Sequence, residues 1–267
     1  MKRVLLFVLL IYHLAPAAQE NWKTSPMYFE ITTQAGDTLT RTFTVYNESD
    51  QAKQFEIYAK DWTIEPDGNE PEFEPGEFEL GCAGWITFSP QVLSIPPASS
   101  QQVRVTMIVP ETVGSGNYWG ALYVQAMEKQ LAGQMGQRGQ SMRMFVSLRN
   151  RVAFVMTIKG SEPLVREGVI DNVTARVGPD KKLNITAQFK NTGNMMLKCT
   201  GTVEIRDSMG ETVTKFPFKD FYCMVDNSRK LNVEQDIYLK TGVYTALVIV
   251  DFNGDYLVAG EALFDVY

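Results

Sequence analysis

The residues of this chain that could do chemistry are few. Its only histidine is His13, so beyond that position no Ser-His-Asp or Cys-His system can be assembled, and histidine zinc sites and most general-base arrangements go with them. Paired carboxylates could hydrolyse a glycoside and a Ser-Lys pair could activate a nucleophile, but the sequence carries the signature of neither. No enzyme and no cofactor is expected. Cys199 and Cys223 lie in the same carboxy-terminal half, where a bridge would contribute about 3.5 kcal/mol through loop entropy. Two buried thiols are the equal alternative, because the sequence does not say whether the side chains meet. Cys82, between Gly81 and Gly84, reads as a small apolar core residue.

Two acidic stretches invite a metal reading. Asp251, Asn253 and Asp255 alternate in DFNGD, yet no bidentate Glu follows at the spacing a calcium loop needs, and Asn253-Gly254 between apolar strands is a hairpin signal. The stretch EPDGNEPEFEPGEFE, 65–79, holds seven acidic residues and three prolines. Without ligand spacing about a glycine turn, it reads as a solvated connection that protects a sheet edge. The sequons at Asn47, Asn172 and Asn184 carry no weight, since the motif is common by chance.

The most informative spacing is in MRMFVSLRNRVAFVMTI, 142–158. Met142, Met144, Val146, Leu148, Val152, Phe154, Met156 and Ile158 fill eight of its nine even positions, and Asn150 alone interrupts them. Such a row is one face of a strand; at ~3.3 Å per residue it would run roughly 56 Å, too long for one small sandwich to cover. The run is therefore expected to divide at Asn150. Val152 to Ile158, with Ala153 and Val155 on the other face, belongs in a core. Met142, Met144, Val146 and Leu148, facing away from Arg143, Ser147 and Arg149, form a strand that another chain could pair with, and unbranched methionines suit an adaptable interface. The alternative is a long bent strand that packs on its own sheet or on the following domain. The preceding segment, Gly133 to Gly139, is expected to be disordered without a partner.

The elements that would position these residues are strands throughout. The amino terminus, MKRVLLFVLLIYHLAPAAQE, has Lys2 and Arg3, an apolar run from Val4 to Tyr12, and Ala15 and Ala17 in an A-x-A arrangement, so 1–17 is expected to be a secretory signal peptide. The run is shorter than the ~20 residues that span a bilayer, and no transmembrane segment is expected in the exported chain. Removing Lys2 and Arg3 takes the formal charge from −6 to about −8, which argues against nucleic acid. Seven candidate strands, from MYFEITT to 142–158, and seven more, from VIDNVTARV to YLVAGEALFDV, are separated by Gly, Pro, Asn and Asp. The chain is expected to be all-β: two consecutive immunoglobulin-like sandwiches, 18–160 and 161–267, meeting at a restricted angle across a short connector.

The stretch WITFSPQVLSIPPASSQQVRVTMIVPETVGSGNYWGALYV, with FTVYNESDQAKQFEIYAKDW before it, resembles the first domain of periplasmic pilus-assembly (fimbrial) chaperones, the PapD-like family. The resemblance covers about 27–160. It implies a non-enzymatic periplasmic protein that binds a pilin-like or other β-rich client by lending it the last strand of its first domain, with an outer-membrane assembly platform as a further partner. It places that strand on 142–158. The family also anchors the client's terminal carboxylate on two basic residues, one on the first strand and one on the last. Here the first strand, SPMYFEITT, has no Arg, and Arg149 and Arg151 are the candidates on the last; solvated edge protection is their alternative role. The rival reading is a structural or adhesive surface module with Tyr118, Trp119 or Tyr123 in a binding face, and a weaker one is a carbohydrate-binding module.

Overall fold

The computed structural model describes residues 21–127, 130–137, 140–179 and 181–267, with 130–146 described as backbone alone. The expected signal peptide, 1–17, lies outside the described residues. In chain order the first strands are β1 (Trp22–Ser25), β2 (Tyr28–Gln34), β3 (Thr38–Asn47), β4 (Lys53–Trp62), β5 (Glu72–Phe73), β6 (Ile86–Ser89), β7 (Val92–Ile95), β8 (Ser99–Ile108) and β9 (Gly116–Ala126). Then come β10 (Gln130–Gln137), β11 (Gln140–Val146) and β12 (Arg149–Lys159). The remainder are β13 (Gly168–Val177), β14 (Lys182–Asn191), β15 (Leu197–Arg206), β16 (Thr212–Cys223), β17 (Ser228–Asp236), β18 (Gly242–Asp251) and β19 (Val258–Val266).

The first sandwich packs the sheet β1-β3-β8-β6 against β2-β12-β9-β4, with β5 and β7 on β4. Alternation explains the layers: Phe43 and Val45 of β3, Val103, Val105 and Met107 of β8, and Val152, Phe154, Met156 and Ile158 of β12 all point into one core. Between β1 and β2, Pro26 has no N–H to give a ladder, and the chain crosses from one sheet to the other. There β2 runs parallel to β12, from Tyr28 opposite Ala153 to Gln34 opposite Lys159. Cys82 is fully buried in this core.

The second sandwich packs β13-β14-β17 against β16-β15-β18-β19. Leu183, Ile185, Ala187 and Phe189 alternate inward along β14, facing Val203, Ile205, Ala246, Val248 and Val250. Cys199 and Cys223 are free buried thiols, not a bridge. Their placement accounts for it: Cys199 stands opposite Phe221 and Cys223 opposite Leu197, so the two are diagonal neighbours across β15 and β16, and such pairs sit at ~7–8 Å, beyond ordinary bridge geometry. Burial pushes the Cys223 thiol up to about 12, and its Sγ donates to the Asn227 carbonyl at 3.4 Å.

Each sandwich is tied by a buried asparagine at the end of its long second-layer strand. The Asn47 Nδ2 donates to the carbonyls of Gln51, Ile95 and Pro96 at 2.7–3.0 Å, while its Oδ1 accepts from Ser49. Asn191 repeats the device, donating to Met195, Cys223 and Met224 at 2.8–3.2 Å and accepting from the Gly193 N–H. Both are effectively sealed from water, at 1% and 0% exposed, so their own amide groups depend on these protein partners.

The two sandwiches meet along the outer face of β9 and β12. Trp119, Ala121, Tyr123 and Val155 form a cluster there with Trp62, Met224 and Val225, the last two from the β16–β17 turn. At its end Asn117 is stitched to the second sandwich: its N–H donates to the Asn194 carbonyl at 3.0 Å, and its Oδ1 accepts from Met196 N–H at 2.7 Å. Gly116 makes this approach possible, since its φ is +142° and a Cβ there would lie 2.8 Å from the Asn194 carbonyl oxygen. The turn at Asn253-Gly254 is also present, with Asn253 at φ 57°. The β18–β19 ladder stops at Val250 opposite Val258, so the connection is a longer loop than a two-residue hairpin.

Candidate functional site

The run 142–158 divides two to three residues before Asn150. β11 ends at Val146, Ser147 and Leu148 lie outside any strand, and β12 begins at Arg149. Leu148 still belongs to the parent sheet, its carbonyl accepting the Ala126 N–H at 3.1 Å, next to the β9–β12 register that runs from Arg149 opposite Gln125 onward. Beyond that bond the two chains continue as a separate antiparallel ribbon, β10 with β11, from Gln130 opposite Val146 to Gln137 opposite Gln140. A register shift between Leu131 and Gly133 interrupts the ribbon's ladder near its base, as a bulge does.

The Gly133–Gly139 segment therefore differs from the expectation of disorder, as far as Gln137. Hairpin pairing needs only the backbone, and a short loop closes at small entropic cost, so glycine and glutamine suffice to fill β10. At ~3.3 Å per residue, β11 extends about 23 Å. One of its edges is taken by β10 and the other is paired with no strand among the described residues. The same open edge continues into β12: β2 covers it only from Ala153, leaving Arg149 to Val152 paired on the β9 side alone.

Met142, Met144 and Val146 lie on β11, opposite Met135, Gly133 and Gln130; their side chains lie outside the described residues. Leu148 is half-buried against the core of the first sandwich, so it belongs to the base of the ribbon and not to its free length.

Arg149 and Arg151 stand on the opposite row, the one facing the second sandwich, and neither is free. The Arg149 guanidinium donates to both oxygens of Glu72, Nη1 to Oε2 at 2.9 Å and Nη2 to Oε1 at 2.7 Å, a bidentate fork. It also donates to the Tyr58 hydroxyl at 3.2 Å and lies 4.5 Å over the Tyr123 ring. The Tyr58 hydroxyl and then Glu72 hold its pKa above the usual arginine value. Arg151 donates to Glu70 Oε2 at 2.6 Å and lies 4.4 Å over Trp62. Both carboxylates come from the acidic stretch 65–79, which does protect a sheet edge, with β5 pairing Phe73 and Glu72 to Asp61 and Trp62 of β4.

That stretch is more than a solvated connection. The buried Asp61 carboxylate accepts N–H bonds from Gly76 at 2.7 Å and Ala83 at 2.8 Å, fixing its far end; burial raises the Asp61 pKa while those two bonds oppose the rise. Its near end is tied to the second sandwich: Arg229 donates to the Glu65 carbonyl, Lys230 N–H to Pro66 and Asn227 to Ile64, at 2.7–2.8 Å. Glu70 and Glu72 were not legible as site residues. The available signal was two arginines two residues apart on a strand, with seven carboxylates elsewhere in one short stretch.

The aromatic binding face does not exist as such. Trp119 is 0% and Tyr123 3% exposed, the Trp119 Nε1 donates to the Trp62 carbonyl at 2.5 Å, and Tyr118 is half-buried against Trp85. These rings are packing residues, as aromatics on a covered sheet face generally are.

No family model and no curated protein matches the chain. Among solved structures it is similar to a chain of the CsuC–CsuE chaperone–tip adhesion subunit pre-assembly complex from archaic chaperone-usher Csu pili of Acinetobacter baumannii, at 13% identity and TM-score 0.47, over 91% of this chain and 97% of that one. It is similar to the class 5 fimbriae chaperone CfaA at 13% identity and TM-score 0.46, over 92% and 100%. A chain from the complex of Salmonella enterica SafA pilin with the SafB chaperone is similar at 11% identity and TM-score 0.42, over 92% and 98%. At such identities, what this chain binds has to be read from its own geometry.

Proposed function

We propose that the protein is a non-enzymatic chaperone of the periplasm that holds a pilin-like or other β-rich client by lending it the free edge of β11. In this reading 1–17 is the export leader, and 18–160 and 161–267 are the two units of the mature protein. The observation that carries it is the edge that runs from Gln140 to Val146 and on through Val152 without a pairing strand among the described residues. A row of unpaired N–H and C=O groups on a projecting ribbon is a ready template for strand addition, and the alternate side chains Met142, Met144 and Val146 would fill pockets in the recipient. Methionine suits that task because its flexible thioether adapts to recipients of different shape.

Replacing Met144 and Val146 together with Asp tests the proposal. Both lie on the ribbon strand β11, so thermal unfolding should stay within about 0.5 kcal/mol of the parent. Retention of a smaller β-rich protein during purification from the periplasm should be lost. A variant that still carries its client at the parent's stoichiometry would refute strand donation from β11.

A further inference from the structure

The second sandwich leaves one of its sides open. Among the described residues β16 pairs only with β15 and β17 only with β14, so these two successive strands are the edges of opposed sheets and border a common cleft. The cleft holds about 460 Å³; Phe218, Leu231 and Val233 line it, and Ile64, Gly68 and Glu70 of the acidic stretch close one end. The two edges are not alike. β16 carries Pro217, and a proline within a ladder turns its missing N–H to the open side, where no further strand can bond to it. β17 has no proline and already accepts a rung from the protein's own chain. The Lys230 N–H donates to the Pro66 carbonyl at 2.7 Å, beside the bonds from Arg229 to Glu65 and from Asn227 to Ile64.

Successive amides of a strand point to opposite sides, so the N–H groups of Asn232, Glu234 and Asp236 face the same way as that of Lys230, off the edge of the sheet. Lys182 keeps the same phase: it stands opposite Asp236 and turns its carbonyl away from β17, to the Gly178 N–H at 2.8 Å. No strand meets those amides among the described residues. At ~3.3 Å per residue, 232–236 leaves roughly 16 Å of edge, enough for a strand of about five residues. Charge then decides which strand fits. Lys219, Arg229 and Lys230 line the cleft against Glu70 and Asp220, and Glu70 is taken by Arg151. The Arg229 Nε is buried with no hydrogen-bond partner among the described residues, and farther along Glu234 is paired with Lys182. The surplus at the cleft is therefore positive. An edge guarded by charge admits strands of the opposite sign, where proline turns all strands away.

From this we infer that β17 is a second strand-addition site, one at which this protein is the recipient. Its free edge takes an extended acidic segment of a partner protein, next to the rung that 64–66 already fills. Carbonyls of the segment accept from the Asn232 and Glu234 N–H groups, apolar residues at alternate positions rest on Phe218, Leu231 and Val233, and the acids between them face Lys219, Arg229 and Lys230. The site belongs to the second sandwich, so it stands whether or not β11 is lent to a client, and it would let the protein hold a second partner at the same time.

The test uses the full mature chain with Asn232→Pro, which removes one outward N–H and takes none from the β14 ladder. The probe is a short peptide of alternating valine and glutamate, blocked at its carboxyl terminus, labelled with fluorescein and followed by anisotropy; the same peptide with lysine for glutamate is the control. The parent should bind the glutamate peptide about tenfold more tightly than the lysine peptide. Asn232→Pro should weaken the glutamate peptide about tenfold, while Asn232→Ala, which keeps the N–H, should bind as the parent does. Failure of the parent to bind, equal affinity for the two peptides, or an unchanged affinity in Asn232→Pro each overturns the inference. Hydrogen exchange on the parent decides the matter even if Asn232→Pro does not fold. The Asn232 and Glu234 amides should exchange more slowly once the glutamate peptide is added. Slowing confined to 140–146 would place the peptide on the ribbon and overturn the β17 site, leaving strand donation from β11 standing.

Discussion

The two sandwiches finish their last hairpins in different ways. In the second, β18 and β19 pair from Gly242 opposite Val266 to Val250 opposite Val258, and the inward row of β19 stays on the body of the sandwich, with Phe264 buried in the core. In the first, β9 and β12 pair through Arg149 and then run on as β10 and β11 past the end of the sandwich. Both β19 and β11 are sheet edges, but they are guarded differently. β19 carries Glu261 and Asp265 at exposed positions, charges that deter edge pairing, whereas β11 has Arg143 as its one charge. If β11 is lent as proposed, one construction serves to hold the protein together and a small variation of it, a longer hairpin with fewer charges, to hold something else.

That comparison can be broken at several points. Phe264→Ala should destabilise by about 3–4 kcal/mol in urea unfolding, because it empties a core site, while excision of 130–146 in favour of a short glycine-serine turn should cost no more than about 0.5 kcal/mol. A comparable loss from the excision would mean that the ribbon is structural. Asn47→Ala and Asn191→Ala should each cost about 3 kcal/mol, since each removes a buried amide that donates to three carbonyls; a loss under about 1 kcal/mol at either site would show that the two sandwiches are not tied alike.

The smallest contrast concerns acid. The Thr33 hydroxyl and the Gln34 N–H lower the Asp37 pKa in the first sandwich, and the Thr212 hydroxyl followed by Arg206 lowers that of Glu204 in the second. A carboxylate whose folded pKa is depressed contributes stability above its unfolded value, and loses it as pH falls through the folded one. Asp37→Asn and Glu204→Gln should each therefore flatten the fall of the melting midpoint below pH ~4. An unchanged slope in either variant would deny that carboxylate its part.

Much of the architecture was legible because alternation reports burial directly. Phe43 and Val45, or Leu183 through Phe189, announce which face of a strand is covered. What was not legible depended on contacts distant in sequence. β5 and β7 are too short to show a period, and they exist because β4 offers them an edge. The break falls at Ser147–Leu148, and the polar Asn150 lies inside β12, paired with Val124. Asn47 looked like a chance sequon, and only its burial among three carbonyls gives it a reason. Arg149 and Arg151 were visible as charges, but their partners Glu72 and Glu70 lie 77 and 81 residues away.

The stitch at Gly116 and Asn117 has a mechanical side. β9 begins at that stitch and leads, at its other end, into the ribbon; β12 returns from the ribbon and ends beside the same stitch. A tug on whatever the ribbon holds would travel lengthwise along this strand pair and load the Asn117 bonds to Asn194 and Met196. Force applied along strands strains their cross-links together in shear instead of opening them one at a time. The second sandwich would then act as ballast, and the joint as the point where tension on the cargo reaches it.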